Sequence, residues 1–377
     1  MIKSIIKSLF VFFCLYFSGF SIAEQRFYFP KSEPISKPET SKSINQVENA
    51  QRYSLNCDQA CQFDDTPMRI QEHKGALVVA ADEELLTYQF QHYPAPEGVD
   101  PAYGRSGFIH PLYAPGKLRL TRIQPDDHYH HYGIWNPWTH LRYNGEEYDL
   151  WNLAKKQGTV RFKKFLNREQ GPLFSGFTAL HEHVIFSAEG KEQVIMLEEQ
   201  QVRVFKPSKD YYLFDLNINL RAAKKHTVHL LEYRYGGFGW RATEKWHKGN
   251  SEVLSSEGHD RSSVDNTLGR WFYVQGDIDG TYAGALVLSH PDNFNHPEPL
   301  RIWPVNDDSR GDVFASFSPT KNRDWHIEPG KNHQRRYRFI VYRGKINAKA
   351  AEQAWKDFAQ HTLPVSTFVS SPSESTP

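Results

Sequence analysis

The chain has 377 residues, of which only three are cysteine and three methionine. No apolar run near 20 residues long occurs beyond its first two dozen positions, so spanning helices are excluded from the body of the protein. So few cysteines exclude a disulfide scaffold and a cysteine-built metal fold. Charge of one sign is also missing. Lysine and arginine total 45 against 44 aspartates and glutamates, leaving a net charge of +1 and no long basic run. Such a balance gives no field to draw nucleic acid or an anionic membrane. Gly-x-Ser-x-Gly, Gly-x-Gly-x-x-Gly opening a βαβ unit, a phosphate loop and His-Glu-x-x-His are all absent. Repeats of propeller or solenoid period are absent too.

What is present begins at the N-terminus. Lys3 and Lys7 precede the apolar stretch from Leu9 to Phe20, and Ser21-Ile22-Ala23 supplies the small residues read by a signal peptidase. Residues 1–23 therefore read as a secretory signal, which places the mature chain in the periplasm or outside the cell. Cys14 lies inside that signal without the small residues expected before a lipid-modified cysteine. Residues 24–65 are polar, carry Pro30, Pro34 and Pro38, and read as a tether. Cys57 and Cys61 stand within it, with three residues between them, and read as a small disulfide in an oxidising compartment. Residues 363–377 are Ser/Thr/Pro-rich and read as a disordered tail. The working domain is expected over 66–362.

Nine Trp, nineteen Tyr and twenty-five Phe favour β structure and equally suit clefts that stack on sugar rings. Period-two or β-branched runs cover 76–79, 85–90, 118–123, 159–165, 184–186, 193–205, 211–220, 227–233, 283–288 and 336–342. One helix is expected from Asn347, its cap, to Gln360, with Ala350, Ala354 and Phe358 along a stripe. Many strands without alternating helices give an all-β fold. The expected architecture is a large antiparallel β-sandwich of the mutarotase-like supersandwich kind, with one C-terminal helix.

The densest chemistry lies in Asp127-His128-Tyr129-His130-His131-Tyr132-Gly133-Ile134-Trp135, followed by His140. Clustered imidazoles exchange protons near neutral pH or ligate metals. On a strand, His128 and His130 would face one way and His131 the other, with a bend at Gly133 gathering them. Phe108-Ile109-His110-Pro111-Leu112-Tyr113 adds a further histidine, and Asp126 or Asp127 can orient an imidazole. His110, Asp127, His128, His130 and His131 are thus the candidate catalytic set. His110, His128 and His130 also meet the ligand count of a divalent metal site. The bland alternative is a hydrogen-bonded aromatic cluster bracing a loop.

A second dense run holds Glu232 and Arg241 around three glycines, as a substrate clamp or a bulged strand with an ion pair. Trp135, Trp271, His290 and Asn293 complete a candidate substrate-binding rim of a kind that suits a sugar or uronate. His181 and His183, flanking Glu182, read as a solvated strand face with the glutamate on the opposite side.

The order Phe-Ile-His-Pro-Leu-Tyr, Asp-His-x-His-His-x-Gly-x-Trp, Tyr-Gly-Gly-x-Gly-x-Arg-Ala, Gly-Arg-Trp and His-Pro-x-Asn resembles a bacterial family of unknown function. That family often carries the label "methane oxygenase PmoA". The resemblance spans about 66–345 and places His110, His128, His130, His131, Trp135, Glu232, Arg241, Trp271 and Asn293 on the family's motifs. It implies a secreted β-sandwich used on carbohydrates. The oxygenase label does not transfer, because the membrane subunit of that name is built from spanning helices. Two departures stand out: Tyr129 replaces a proline and Tyr132 an arginine, which removes an anion contact unless Arg122 or Arg241 supplies it.

Three readings follow. A sugar-active enzyme, an epimerase, mutarotase-like isomerase or lyase, would use His130 or His131 as base and the other as acid, Asp127 as orienter, Arg241 and Glu232 as clamp and Trp135 as stacking surface, with no cofactor. A metal-dependent hydrolase or oxygenase-like enzyme would use His110, His128 and His130 as ligands. A carbohydrate-binding module would use the aromatics alone.

Overall fold

The computed structural model describes residues 67–307 and 310–360. The signal, the tether with Cys57 and Cys61, and the tail lie outside these residues. The expected all-β class holds: the strands form three sheets whose pairings are antiparallel throughout, and one α-helix follows them.

The long strands make the eight-stranded sheet. Its order is Ser251–Ser255, Trp271–Ile278, Thr281–Ser289, His333–Arg343, Tyr211–Ala222, Glu192–Phe205, Phe174–Phe186 and Gly158–Gln170. The ten-stranded sheet carries shorter strands. It runs from Arg69–His73 through Ala76–Ala80, Glu84–Gln89 and Phe108–Ala114 to Ile134–Trp135, Gly239–Arg241, Phe314–Phe317, Glu298–Ile302 and Leu268–Gly269, with Leu118–Arg119 paired to Phe108–Ala114 as the tenth strand. A four-stranded sheet of Trp325–Ile327, Val228–Leu230, Leu141–Tyr143 and Glu146–Tyr148 lies beside them.

Period-two alternation decides what is buried. Along Glu192–Phe205, Met196, Val202 and Val204 point into the core and meet Leu86, Tyr88 and Leu112 of the ten-stranded sheet. The same phase carries Glu198 inward, where it is fully buried. On the neighbouring strand it carries His181 and His183 inward as well. The expected solvated face is therefore wrong for the histidines, which are 1% and 0% exposed. Glu182 does point to the other side, where it pairs with Arg161 and Lys163.

The helix runs Ala348–Ala359, and the Asn347 side chain accepts a hydrogen bond from the Ala350 N–H. Ala351, Ala354 and Phe358 form its buried stripe, so Ala351 takes the place expected for Ala350. They pack on Trp271, Tyr273, Leu286 and Leu288, the face of the eight-stranded sheet that the main core does not use. Two expected strands shorten. The run 118–123 is a strand only over Leu118–Arg119 before Thr121 and Ile123 leave it for isolated bridges to Ala242 and Tyr132. The run 227–233 keeps only Val228–Leu230.

Candidate active site

The histidine segment is a tight loop between two elements of the ten-stranded sheet. Gln124 N–H donates to the His131 carbonyl, and Gly133 N–H to the Arg122 carbonyl, closing the loop at its base. Within it, His128 N–H donates to the Pro125 carbonyl and His131 N–H to the His128 carbonyl. These turns replace the strand alternation expected from sequence. His128 and His131 therefore stack, with ring centroids 4.6 Å apart, and His130 stands edge-on to both at 5.4 and 4.7 Å.

Gly133 makes the closure possible. Its φ is +55°, and a Cβ there would lie 2.2 Å from the Ile109 carbonyl oxygen. Gly133→Ala meets both a disfavoured backbone region and a clash with backbone, so a destabilisation above about 2 kcal/mol is expected. Urea denaturation checks this. A variant within about 0.5 kcal/mol of wild type would show that the loop does not depend on the close approach.

His128 is half-buried, its side chain 35% exposed. Its Nδ1 lies 2.7 Å from Asp127 Oδ2, so the carboxylate fixes the ring and leaves Nε2 as the uncommitted nitrogen. Asp127 is in turn held by Arg241 Nη2 at 2.9 Å, and the same nitrogen donates to Asp312 Oδ2 at 3.0 Å. Asp312 also accepts from Arg122 and, at 2.6 Å, from Arg310 Nε. Arg241 is fully buried, and its guanidinium lies 4.6 Å over the Trp303 ring. Burial pulls the Asp127 carboxyl upward, but the His128 hydrogen bond and the Arg241 charge win and hold it well below the usual carboxylate range. Burial, with Arg122 adding to it, lowers Arg241 to about 10, which leaves it cationic at neutral pH.

His131, expected to face substrate, is 1% exposed. It packs among Trp135, Trp303 and Phe314 at 5.1, 5.6 and 5.3 Å. Trp135 is fully buried under it and cannot offer a stacking face. Both residues form the floor beneath His128 rather than the working surface. Trp303 continues that floor, its Nε1 donating to Tyr235 Oη at 3.0 Å.

A cleft of about 650 Å³ opens beside the Asp127 carboxylate. Arg119, Arg122 and Arg310 line it together with Asp127, Glu244 and Asp312. His110 closes one wall, its Nδ1 2.9 Å from Thr121 Oγ1. Among the described residues no group of three or more His, Cys, Asp or Glu is placed to hold a metal ion. His110, His128 and His130 are thus not assembled as the ligand set that their spacing allowed, because the loop turns His128 onto Asp127 and His110 onto Thr121.

The remaining candidates disperse. Trp271 lies under the helix and donates from Nε1 to Glu352 at 2.9 Å. The Asn293 amide donates to Ser289, Glu298 and the Arg336 carbonyl, and its oxygen accepts from Arg336 N, so it braces a buried turn. His290 is buried against Phe358 and receives Arg336 at 2.8 Å. Glu232 is exposed near the four-stranded sheet, its N–H held by Asp324. His140 pairs with Glu147 at 3.0 Å on that same sheet. Sequence reasoning missed Arg119, Glu244, Arg310 and Asp312, four of the seven charged side chains that line the cleft. Arg310-Gly311-Asp312, with Gly311 at φ +71°, was the local signal, and it resembles any surface turn.

The buried imidazoles set a pH dependence. Desolvation, aided by neighbouring His128 and Arg119 respectively, lowers His130 and His110 to about 4. Both are then neutral in the folded protein where the unfolded chain, at about 6.5, begins to take up protons. Their stabilising contribution is complete above that value and is lost as pH falls toward about 4, on the order of 3 kcal/mol apiece. Urea midpoints are expected to drop steadily between about pH 7 and about pH 4.5. A smaller slope is expected in His130→Gln, and equal slopes in the two proteins would refute the assignment.

A family described only as of unknown function, DUF6807, matches residues 76–356. The chain belongs to that family. The matched span of this DUF6807 protein contains the histidine loop, Arg241 and Asp312. No curated protein matches the sequence. Solved structures give distant likenesses. A heparan sulfate lyase HepC mutant from Pedobacter heparinus aligns at 10% identity and a TM-score of 0.36, over 80% of this chain and 41% of that one. A heparinase III aligns at 9% and 0.30, over 77% and 36%. A GalM/aldose epimerase homologue from C. elegans aligns at 8% and 0.30, over 75% of this chain and 100% of that one. The DUF6807 chain thus spans about two fifths of the lyases' length. Similarity of this degree assigns no residue a role. Among the described residues no helix is long and apolar enough to cross a membrane.

Proposed function

We propose that this protein is a periplasmic or secreted carbohydrate-active enzyme that moves protons on a neutral sugar, with Asp127 and His128 as its working dyad. The observation that carries the reading is the 2.7 Å hydrogen bond between His128 and Asp127, whose carboxylate lines the charged cleft. A carboxylate on one imidazole nitrogen fixes the tautomer and leaves the other nitrogen free to accept and return a proton. The cleft wall alternates guanidinium donors with carboxylate acceptors, which suits the vicinal hydroxyls of a sugar.

Charge decides the kind of sugar. Arg119 pairs with Glu244, while Arg122 and Arg310 pair with Asp312. Four carboxylates, Asp126, Asp127, Glu244 and Asp312, line the cleft against three guanidiniums, so a uronate carboxylate would meet a wall with no net positive charge. That argues against the lyase branch, which needs an acidified proton beside a carboxylate. It favours ring-opening isomerisation, in which His128 Nε2 takes the anomeric hydroxyl proton, C1–O1 becomes a carbonyl as the bond from C1 to the ring oxygen breaks, and the imidazolium returns the proton through a water to that oxygen. Signal-like residues 1–23 support the extracytoplasmic setting.

The test is NMR exchange spectroscopy of anomer interconversion across a panel of neutral aldoses, with glucuronate and galacturonate beside them. Faster exchange with a neutral sugar, lost in His128→Ala, supports the reading. Sugar binding without any acceleration would make the cleft a binding site only. Turnover of uronates alone would overturn the charge argument.

A further inference from the structure

The four-stranded sheet carries a row of chemistry that the proposed dyad does not use. Glu147, Arg142, His229 and His326 stand in register on successive strands, so their side chains share one face. His229 and His326 are directly opposite each other. Their Nδ1 atoms are 3.0 Å apart and their rings 4.8 Å apart at 72°. His326 is exposed and His229 half-buried.

Two neutral imidazoles at this distance share a single N–H, which is one way to satisfy the pair. The geometry also meets a stricter condition. Metal–imidazole bonds of about 2.0–2.1 Å, at angles from about 90° to about 109°, hold two nitrogens about 2.8–3.4 Å apart. The observed 3.0 Å separation falls inside that window. The cross-strand register fixes both Cα positions, so little ordering entropy opposes binding.

The surroundings agree. Arg142 Nη2 donates to Glu147 at 2.8 Å, which offsets the cation nearest the pair. Asp324, one residue before the strand Trp325–Ile327, holds Glu232 N–H with one oxygen at 2.7 Å and places negative charge near His229.

We propose that His229 and His326 form a surface site for a divalent transition-metal ion, Zn²⁺ or Cu²⁺, held by two imidazole nitrogens and completed by water. Two protein ligands are the full set here, since no group of three is gathered among the described residues. The site belongs to the four-stranded sheet and is independent of the reading given for His128.

The full, untagged chain, stripped with chelator, is titrated calorimetrically with Zn²⁺. Cu²⁺ loading is then followed by electron paramagnetic resonance. Wild type and His128→Ala are expected to bind one equivalent in the micromolar range, with nitrogen hyperfine structure on copper. His229→Ala and His326→Gln are expected to weaken binding at least about tenfold while melting like wild type. Unchanged affinity in both variants, or loss of the metal in His128→Ala alone, would overturn the proposal. So would a wild-type protein that binds neither ion below millimolar concentration.

Discussion

His128→Ala is expected to lower turnover roughly 10²- to 10⁴-fold while leaving the unfolding midpoint within about 0.5 kcal/mol of wild type. Both halves follow from position. The imidazole is about one third exposed, so its removal opens no core cavity. Its Nδ1 is committed to Asp127, so Nε2 is the nitrogen that can work. His131→Ala should behave in the opposite way. That ring is enclosed by His128, Trp135, Trp303 and Phe314, and its loss leaves a void costing about 2–4 kcal/mol. Measuring both proteins separates a working residue from a supporting one. Should His131→Ala lose turnover with its stability intact, while His128→Ala keeps activity, the roles would have to be exchanged. Asp127→Asn adds a third point: an amide in place of the carboxylate cannot stabilise the imidazolium, so activity should fall while the loop keeps its shape.

The sequence made the loop conspicuous but left its geometry closed to view. Asp127 to Trp135 stood out through composition, and the loop does hold the proposed dyad. Which histidine faces solvent depended on turns whose hydrogen bonds involve Gln124, Pro125 and Arg122. Period-two reading assigned His128 and His130 to one face, whereas the turns stack His128 on His131. Long strands and the capped helix were legible because propensity, period and capping agreed there. Trp271, His290 and Asn293 were misplaced for a different reason. They are polar or aromatic residues at strand ends, and the same residue types serve buried braces and binding rims alike. Asp312 sits in an Arg-Gly-Asp run that reads as an ordinary surface turn, and only its bonds to Arg122 and Arg241 reach far along the chain. Glu198 lies in a polar stretch of its strand, and its partners stand 15 to 62 residues away.

Glu198→Ala is expected to destabilise the protein by about 3–5 kcal/mol at neutral pH, among the largest losses for any single side chain in the core. The carboxylate is fully buried between the two large sheets and is satisfied on both oxygens. His181 Nδ1 donates to Oε1 at 3.0 Å, and His183 Nε2 and Asn136 Nδ2 reach Oε2 at 2.9 and 2.6 Å. Asn136 Oδ1 accepts from Arg335 Nη2 at 2.7 Å, and Tyr88 Oη meets His181 Nε2 at 2.5 Å. Truncation strands three donors in a place water does not reach, and that desolvation is what costs. Glu198→Gln keeps the shape and one acceptor, so it should fall between the two.

The sign with pH provides a second check. Burial pushes this carboxyl upward, yet the hydrogen bonds from His181 and His183 outweigh it and hold the group well below the usual carboxylate range. Its contribution is therefore present above the unfolded value of about 4.3 and is lost as pH falls below that. The gap between wild type and Glu198→Ala should narrow in acid. Asn136 directly follows Trp135, the floor beneath His131 and His128, so the same network ties the candidate site to the eight-stranded sheet. Denaturant midpoints for wild type, Glu198→Gln and Glu198→Ala at about pH 7 and about pH 4 decide the matter. A gap that stays constant or widens in acid would mean that the carboxylate is not the charged hub of the core, and that the floor of the site is held by packing alone.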